Sequence, residues 1–375
     1  MDFSQTISRD NTYSLKWLKY QGQDILPMWV ADTEFSCAQP ILDALHKRVG
    51  HGILGYTHPS QYAPANEAVK HWLKKQYNWD IELEWIVWTP GVVPAFNLAC
   101  RAFCEPGDKV MVQSPNYPPM LAAPAINKME RVDIDTVEVD GRWTLDFAQL
   151  EKEAQDPKVK MFILCNPMNP VGSVLTEAEL KEVARICQEN DIFLCSDEIH
   201  CDLVLDQQAK HIPAGTLAGV ESQTITLMAA SKTFNIAGLG TSFAIIPDAK
   251  LRFQYNHAGM GLLPWANIMG LVATEAAFTE CDHWHKVLLD YLRGNRDYLY
   301  QEINAIEGLR MLLPQATYLA WVDASGLNVP LPQKYFEDKG VGPSPGADFG
   351  NKQFIRLNYG CPRSHLEHAI QRIKA

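Results

Sequence analysis

Three short apolar runs, each ending abruptly in polar residues, constrain this chain more than any other feature. Met161-Phe162-Ile163-Leu164-Cys165 runs into Asn166-Pro167-Met168-Asn169-Pro170-Val171-Gly172. Ile192-Phe193-Leu194-Cys195 runs into Ser196-Asp197-Glu198-Ile199-His200, and Ile225-Thr226-Leu227-Met228-Ala229 into Ala230-Ser231-Lys232-Thr233. Runs this short and apolar read as strands buried on both faces. Polar residues at their carboxyl ends are what an open α/β sheet presents to a ligand crevice. Between the first two, Thr176-Glu177-Ala178-Glu179 has capping-box spacing, and Leu180, Val183, Ala184 and Cys187 form one stripe of the helix it opens. The unit is expected to be a right-handed crossover between parallel strands. An amide, a carboxylate and an amine then converge on one pocket. That set suits an aldehyde cofactor with an aromatic nitrogen, the lysine forming a Schiff base and the aspartate facing the ring nitrogen.

In this order, N-P-x-N-P-x-G, S-D-E-I-H and S-K-T resemble the fold-type I, pyridoxal-phosphate-dependent aminotransferase superfamily. The resemblance implies an α/β fold: a large domain with a mostly parallel central sheet flanked by helices, and a smaller α+β C-terminal domain. The corresponding division is an arm over 1–45 that forms part of the small domain, a large domain over 46–274 and a small domain over 275–375. It also implies pyridoxal 5′-phosphate, with Lys232 as its covalent anchor and general base, Asp197 on the ring nitrogen and Asn169 on the 3′ oxygen.

Further positions follow from the same resemblance. Pro90-Gly91-Val92-Val93-Pro94 follows the strand-like Ile86-Val87-Trp88-Thr89 and opens a helix through Cys104. A helix start with exposed amides can cradle phosphate, which the resemblance puts near Val92 and Val93. Tyr117, fixed between Pro115 and Pro118, would stack on the cofactor ring and act as an acid toward a departing group. Tyr56, between two helices, reads from the residues alone as half-buried packing. The resemblance has it cross a dimer interface to the partner's phosphate. The arginine that most aminotransferases carry eight residues after the lysine is replaced by Gly240, and a serine three residues before it by Ala229. Phosphate is then left to backbone amides, Ser231 and Tyr56.

Five features resemble the cystathionine β-lyase and C–S lyase branch. Aminotransferases usually place a tyrosine three residues after the aspartate; here it is His200. Ile25-Leu26-Pro27-Met28-Trp29-Val30-Ala31-Asp32 reads as an edge strand, yet in that branch the matching loop lines the substrate site, its backbone near the α-carboxylate at Ala31. Two positions, Thr33 and Glu34, depart from the branch's W-V-A-D-M-D-F. Arg9, Thr12, Ser14 and Trp17 match its opening, and Asn235 in Ser231-Lys232-Thr233-Phe234-Asn235 matches the segment that carries the lysine. Arg356-Leu357-Asn358-Tyr359-Gly360-Cys361-Pro362-Arg363 matches R-L-N-x-G-C-P-R, whose first arginine binds the α-carboxylate as a bidentate pair; Arg363 reads as structural.

Composition limits the remaining choices. A chain of 375 residues with net charge −11 and dispersed basic residues gives no reason to expect nucleic acid or an anionic membrane surface. Nine cysteines at neither metal-like nor disulfide-like spacing point to a reduced cytoplasm. The opening Met1-Asp2-Phe3-Ser4-Gln5 lacks a signal peptide's apolar core. A metal site at Asp197, Glu198 and His200 is disfavoured because neighbouring strand residues point to opposite faces. Val287, Leu288, Tyr291, Leu292, Tyr298 and Leu299 mark a long helix whose stripe is interrupted at Gly294-Asn295. The expected activity is α,β-elimination from L-cystathionine or another S-substituted cysteine, in a homodimer. The alternatives are an aminotransferase and a regulatory binding protein that reuses the fold.

Overall fold

The computed structural model describes residues 2–375; Met1 lies outside them. Eight strands form the central sheet, in the order Ile86–Thr89, Ser242–Ile245, Thr224–Met228, Phe193–Asp197, Val159–Cys165, Lys109–Ser114, Glu130–Val139 and Arg142–Leu145. The five strands from Thr224–Met228 to Glu130–Val139 are mutually parallel, and antiparallel pairs close both edges. All three apolar runs are therefore adjacent parallel strands. Register matters more than order: Cys165 lies opposite Asp197, and Asp197 opposite Leu227. The polar residues that follow each run emerge at one edge because the strands end together.

The crossover helix Glu177–Glu189 starts in the expected capping box, Thr176 accepting from Glu179 N while the Glu179 carboxylate accepts from Thr176 N at 2.8 Å. Its buried stripe is Leu180, Val183, Ala184, Ile186 and Cys187. Helix Val92–Phe103 begins after Gly91, whose φ of 143° is open only to glycine at low cost.

A second, antiparallel sheet orders Arg310–Met311, Leu319–Asp323, Phe354–Asn358 and Ser344–Pro345. The N-terminal arm joins this part of the molecule: Leu26–Pro27 pairs in parallel with Val341–Gly342. Strand pairing stops there, so Trp29–Asp32 runs on as irregular backbone. The stretch expected as an edge strand is therefore strand only over Leu26–Pro27.

The long helix Asp282–Asn304 is continuous through Gly294 and Asn295, where only the apolar stripe is interrupted, as expected. Asn295 is buried because its amide Nδ2 donates to the carbonyls of Tyr359 at 3.1 Å and Cys361 at 2.7 Å. Its Oδ1 accepts from Arg363 Nε at 2.9 Å. A polar residue breaks the apolar stripe without breaking the helix, since the strand-end loop supplies its partners. Helix Ile268–Glu280 spans the expected domain boundary at 274/275. Among the described residues no helix is long and apolar enough to cross a membrane.

Candidate active site

A cavity of about 740 Å³ opens at the carboxyl ends of the parallel strands. It is lined by Ala31, Val92, Val93, Tyr117, Asn169, Asp197, His200, Ser231, Lys232 and Arg356 together. Ten of the eleven residues singled out from sequence thus share one chamber. The eleventh, Tyr56, is fully exposed and lies outside it.

Lys232 leaves the sheet on the loop after Thr224–Met228, where Phe234, wholly buried, pins the turn. Its Nζ donates to the Ala31 carbonyl at 2.8 Å. Desolvation first, then the nearby Arg356 guanidinium, lowers the amine's pKa to about 8. Asp197 ends the neighbouring strand, and among the described residues the one hydrogen-bond donor to its carboxylate is the Ile199 amide at 3.1 Å. Burial, helped by the Glu198 carboxylate, pushes it up to about 7. Glu198 itself points away: it accepts from Ser196 Oγ at 2.9 Å and Ala214 N at 2.8 Å, and lies 2.7 Å from His211 Nε2. His200 is buried with no partner at Nδ1 among the described residues, and desolvation lowers its pKa to about 3, leaving a neutral ring.

Arg356 reaches the chamber from the other sheet. Its NH1 donates to Asn169 Oδ1 at 2.9 Å, and its NH2 to the Trp29 carbonyl at 2.7 Å and Ser344 Oγ at 3.3 Å. The Phe349 ring packs 4.5 Å from the guanidinium carbon. Nε has no partner among the described residues, and burial lowers the pKa to about 10. A buried guanidinium without a carboxylate is an unfinished arrangement, completed by an anion. Tyr117 is half-buried on the chamber wall, and desolvation raises its phenol, opposed by Arg356.

Several partners were not legible in the sequence. Tyr318 is fully buried and donates to the Ala31 carbonyl at 2.9 Å, the same acceptor Lys232 uses. Asn358 donates to the carbonyls of Val30 and, at 2.7 Å, of Asp32. Its position two residues from Arg356 on a strand, hence on one face, was the available signal. Asn235, expected from the resemblance alone, accepts from Thr33 N at 3.1 Å and donates to the Thr33 and Phe35 carbonyls at 3.1 and 2.8 Å. The departure at Glu34 has a physical account. Glu34 is buried against Lys16 Nζ at 2.7 Å and accepts from Arg9 at 3.0 Å and Trp17 Nε1 at 3.1 Å. Arg9 also donates to Ser14. The matched opening residues therefore clamp the loop that carries Ala31.

Residues 31–373 match the family model of aminotransferase class I and II. The chain belongs to that family. Among its relatives, it is 37% identical to the cystathionine β-lyase PatB of Bacillus subtilis, covering 100% of this chain and 99% of that protein. Protein MalY of Escherichia coli is 32% identical, over 98% of this chain and 97% of the relative. The crystal structure of OvoB superposes with a TM-score of 0.97 at 43% identity, covering 100% of this chain and 98% of the other. Cystalysin of Treponema denticola, described as containing pyridoxal 5′-phosphate, has a TM-score of 0.93 at 32% identity over 99% and 97% of the two chains.

The family's cofactor can be tested against the residues present. Asp197 is a buried carboxylate with no side-chain donor, which a protonated ring nitrogen satisfies. The amides of Val92 and Val93 open a twelve-residue helix at the chamber wall with no backbone acceptor. Gly240, at the arginine position, adopts a left-handed φ of 53° and leaves no cation there. The donor set fits pyridoxal phosphate held by amides.

Proposed function

We propose that this protein is a pyridoxal-phosphate-dependent C–S β-lyase that converts S-substituted cysteines, L-cystathionine among them, to thiol, pyruvate and ammonia. The observation that carries this reading is the convergence of Lys232, Asp197, Asn169 and Arg356 in one chamber of a chain similar along its full length to a cystathionine β-lyase.

Val92, Val93 and Ser231 would hold the phosphate, Asp197 the ring nitrogen, Asn169 the 3′ oxygen, with Tyr117 stacked on the ring and His200 beside it. When bound, the cofactor supplies an electron sink for the substrate's Cα carbanion. Arg356 binds the α-carboxylate with the donors that Asn169 and the Trp29 carbonyl now orient, and Ala31 lies beside it. Lys232, its pKa lowered to about 8 by burial, takes the Cα proton as general base. Departure of the sulfur follows from its chemistry, because a thiol of pKa roughly 8.5 leaves readily as thiolate. Tyr117, kept protonated by its raised pKa, is placed to give it a proton.

The reading includes a homodimer in which Tyr56 reaches the partner's phosphate. Its support is the complete exposure of Tyr56 on a segment that also exposes Ile53 and Leu54. The test is product analysis with L-cystathionine and added pyridoxal phosphate. Thiol, pyruvate and ammonia in equal amounts are expected, and all three should vanish in Lys232→Ala. A keto acid with pyridoxamine phosphate and no thiol would make the protein an aminotransferase.

A further inference from the structure

The chamber has a second, more exposed wall that the chemistry at Lys232 does not use. It is built by Lys19, just past the short helix Leu15–Leu18, by Gln333 in helix Pro332–Asp338, and by Asp348 in the turn Gly346–Phe349. A lysine at a cavity mouth is ordinarily a solvated charge of little consequence. This one is held in place. Its Nζ lies 4.8 Å from the Tyr20 ring centre and 4.9 Å from that of Trp29. Glu337 Oε1, 3.8 Å away, is itself fixed by Tyr20 OH at 2.7 Å and Gln333 Nε2 at 2.8 Å. At 3.8 Å the ion pair is beyond hydrogen-bond range, so the Lys19 ammonium makes no hydrogen bond among the described residues. Two rings and a carboxylate restrict a flexible side chain before any ligand arrives, which lowers the ordering cost of binding.

Asp348 supplies the opposite sign. It has neither an ion-pair nor a hydrogen-bond partner among the described residues, and it is adjacent in sequence to Phe349, the ring against Arg356. Trp29 ties the other charge to the same centre, its ring beneath Lys19 and its carbonyl accepting from Arg356. A cation and an anion therefore line the mouth of the chamber that holds Arg356, Lys19 tied to it through Trp29 and Asp348 through its neighbour Phe349.

We propose that Lys19 and Asp348 form a distal subsite for an amino-acid zwitterion at the far end of the substrate's sulfur substituent. Lys19 takes the distal carboxylate and Asp348 the distal ammonium. The substrate class narrows accordingly, to S-substituted cysteines whose substituent ends in an amino acid rather than in an alkyl group. This inference rests on the β-lyase reading, which assigns the near end to Arg356.

L-cystathionine and S-ethyl-L-cysteine share the cysteine end and differ at the distal one, so their kcat/KM ratio isolates the subsite. In Lys19→Met, which keeps the stem's packing on the rings, the ratio should fall about tenfold, the worth of a preorganised, partly screened charge pair. Asp348→Asn should lower it several-fold, and added salt should lower it in the parent protein. An unchanged ratio in both variants overturns the subsite. Binding gives a readout independent of turnover: in Lys232→Ala loaded with pyridoxal phosphate, Lys19→Met should weaken the calorimetric Kd for L-cystathionine about tenfold. Equal Kd values overturn the subsite. A Kd difference with no thiol released by the parent protein from either compound refutes the β-lyase reading and leaves the subsite standing.

Discussion

Asp197 ends its strand with one backbone donor, from Ile199, and no cationic partner in contact. Its folded pKa of about 7 lies above the ordinary 3.8, so between those values the folded chain holds a proton that the unfolded chain has lost. Stability therefore falls as pH rises from about 4 to about 7 and stays reduced above that. In cofactor-free protein, Asp197→Asn should be more stable than the parent at pH 8, by roughly 2–4 kcal/mol, and no more stable near pH 4. Thermal unfolding at the two pH values checks this; equal gains at both would mean that burial of charge is not the cause. The same substitution should cost roughly 10²–10³ in turnover, because the ring nitrogen loses its charged partner. Arg356 poses the complementary case, a buried cation awaiting an anion. Arg356→Ala should lower kcat/KM about 10- to 100-fold, carried mainly by KM, as expected for a group that binds the substrate throughout the reaction. Steady-state kinetics with L-cystathionine tests it, and an unaltered KM would remove Arg356 from the carboxylate.

The helix Asp282–Asn304 shows at the level of elements what buried polar residues do here. Asn295→Leu restores the apolar stripe yet strips partners from two carbonyls and from Arg363, and should destabilise by about 3 kcal/mol in urea titration. A neutral result would mean that water replaces the amide. The gap in the stripe was legible here but what fills it was not, because its partners, Tyr359, Cys361 and Arg363, lie more than sixty residues away. The elements that bear Asn169, Asp197 and Lys232 were legible for the opposite reason. Apolar runs, the capping box at Thr176 and the turn at Gly91 are local signals, and parallel register then aligns the strand ends without further information. The loop carrying Ala31 sits between these extremes. Its path could be matched, but the reasons for it could not be read: Tyr318 on the Ala31 carbonyl, Asn358 on the Val30 and Asp32 carbonyls and Arg356 on the Trp29 carbonyl are contacts between segments far apart in the chain. Periodicity carries no trace of them. The distal wall has the same character, three unrelated segments brought to one mouth.

At the scale of the whole molecule, the open question is whether one chain makes a complete site. The chamber offers the phosphate amides and Ser231 but no side-chain cation at Gly240, and Tyr56 stands fully exposed on the surface. If the homodimer is the working unit, each site combines Lys232 of one protomer with Tyr56 of its partner. Isologous symmetry then makes complementation possible. Lys232→Ala and Tyr56→Ala, each nearly inactive alone, should recover activity when co-expressed with different tags. A heterodimer carries one site with both native residues, and the other lacks both. With random pairing half the dimers are mixed, so about a quarter of the parent activity should return, and about half in heterodimers purified by both tags. Phenylalanine at position 56 separates contact from packing, since it keeps the ring and removes the hydroxyl. Weakened retention of pyridoxal phosphate in Tyr56→Phe, read from absorbance during dialysis, would place the hydroxyl on the phosphate. No recovery in mixed dimers would mean that each chain's Tyr56 serves only itself, and the exposed segment around Ile53 and Leu54 would need another explanation.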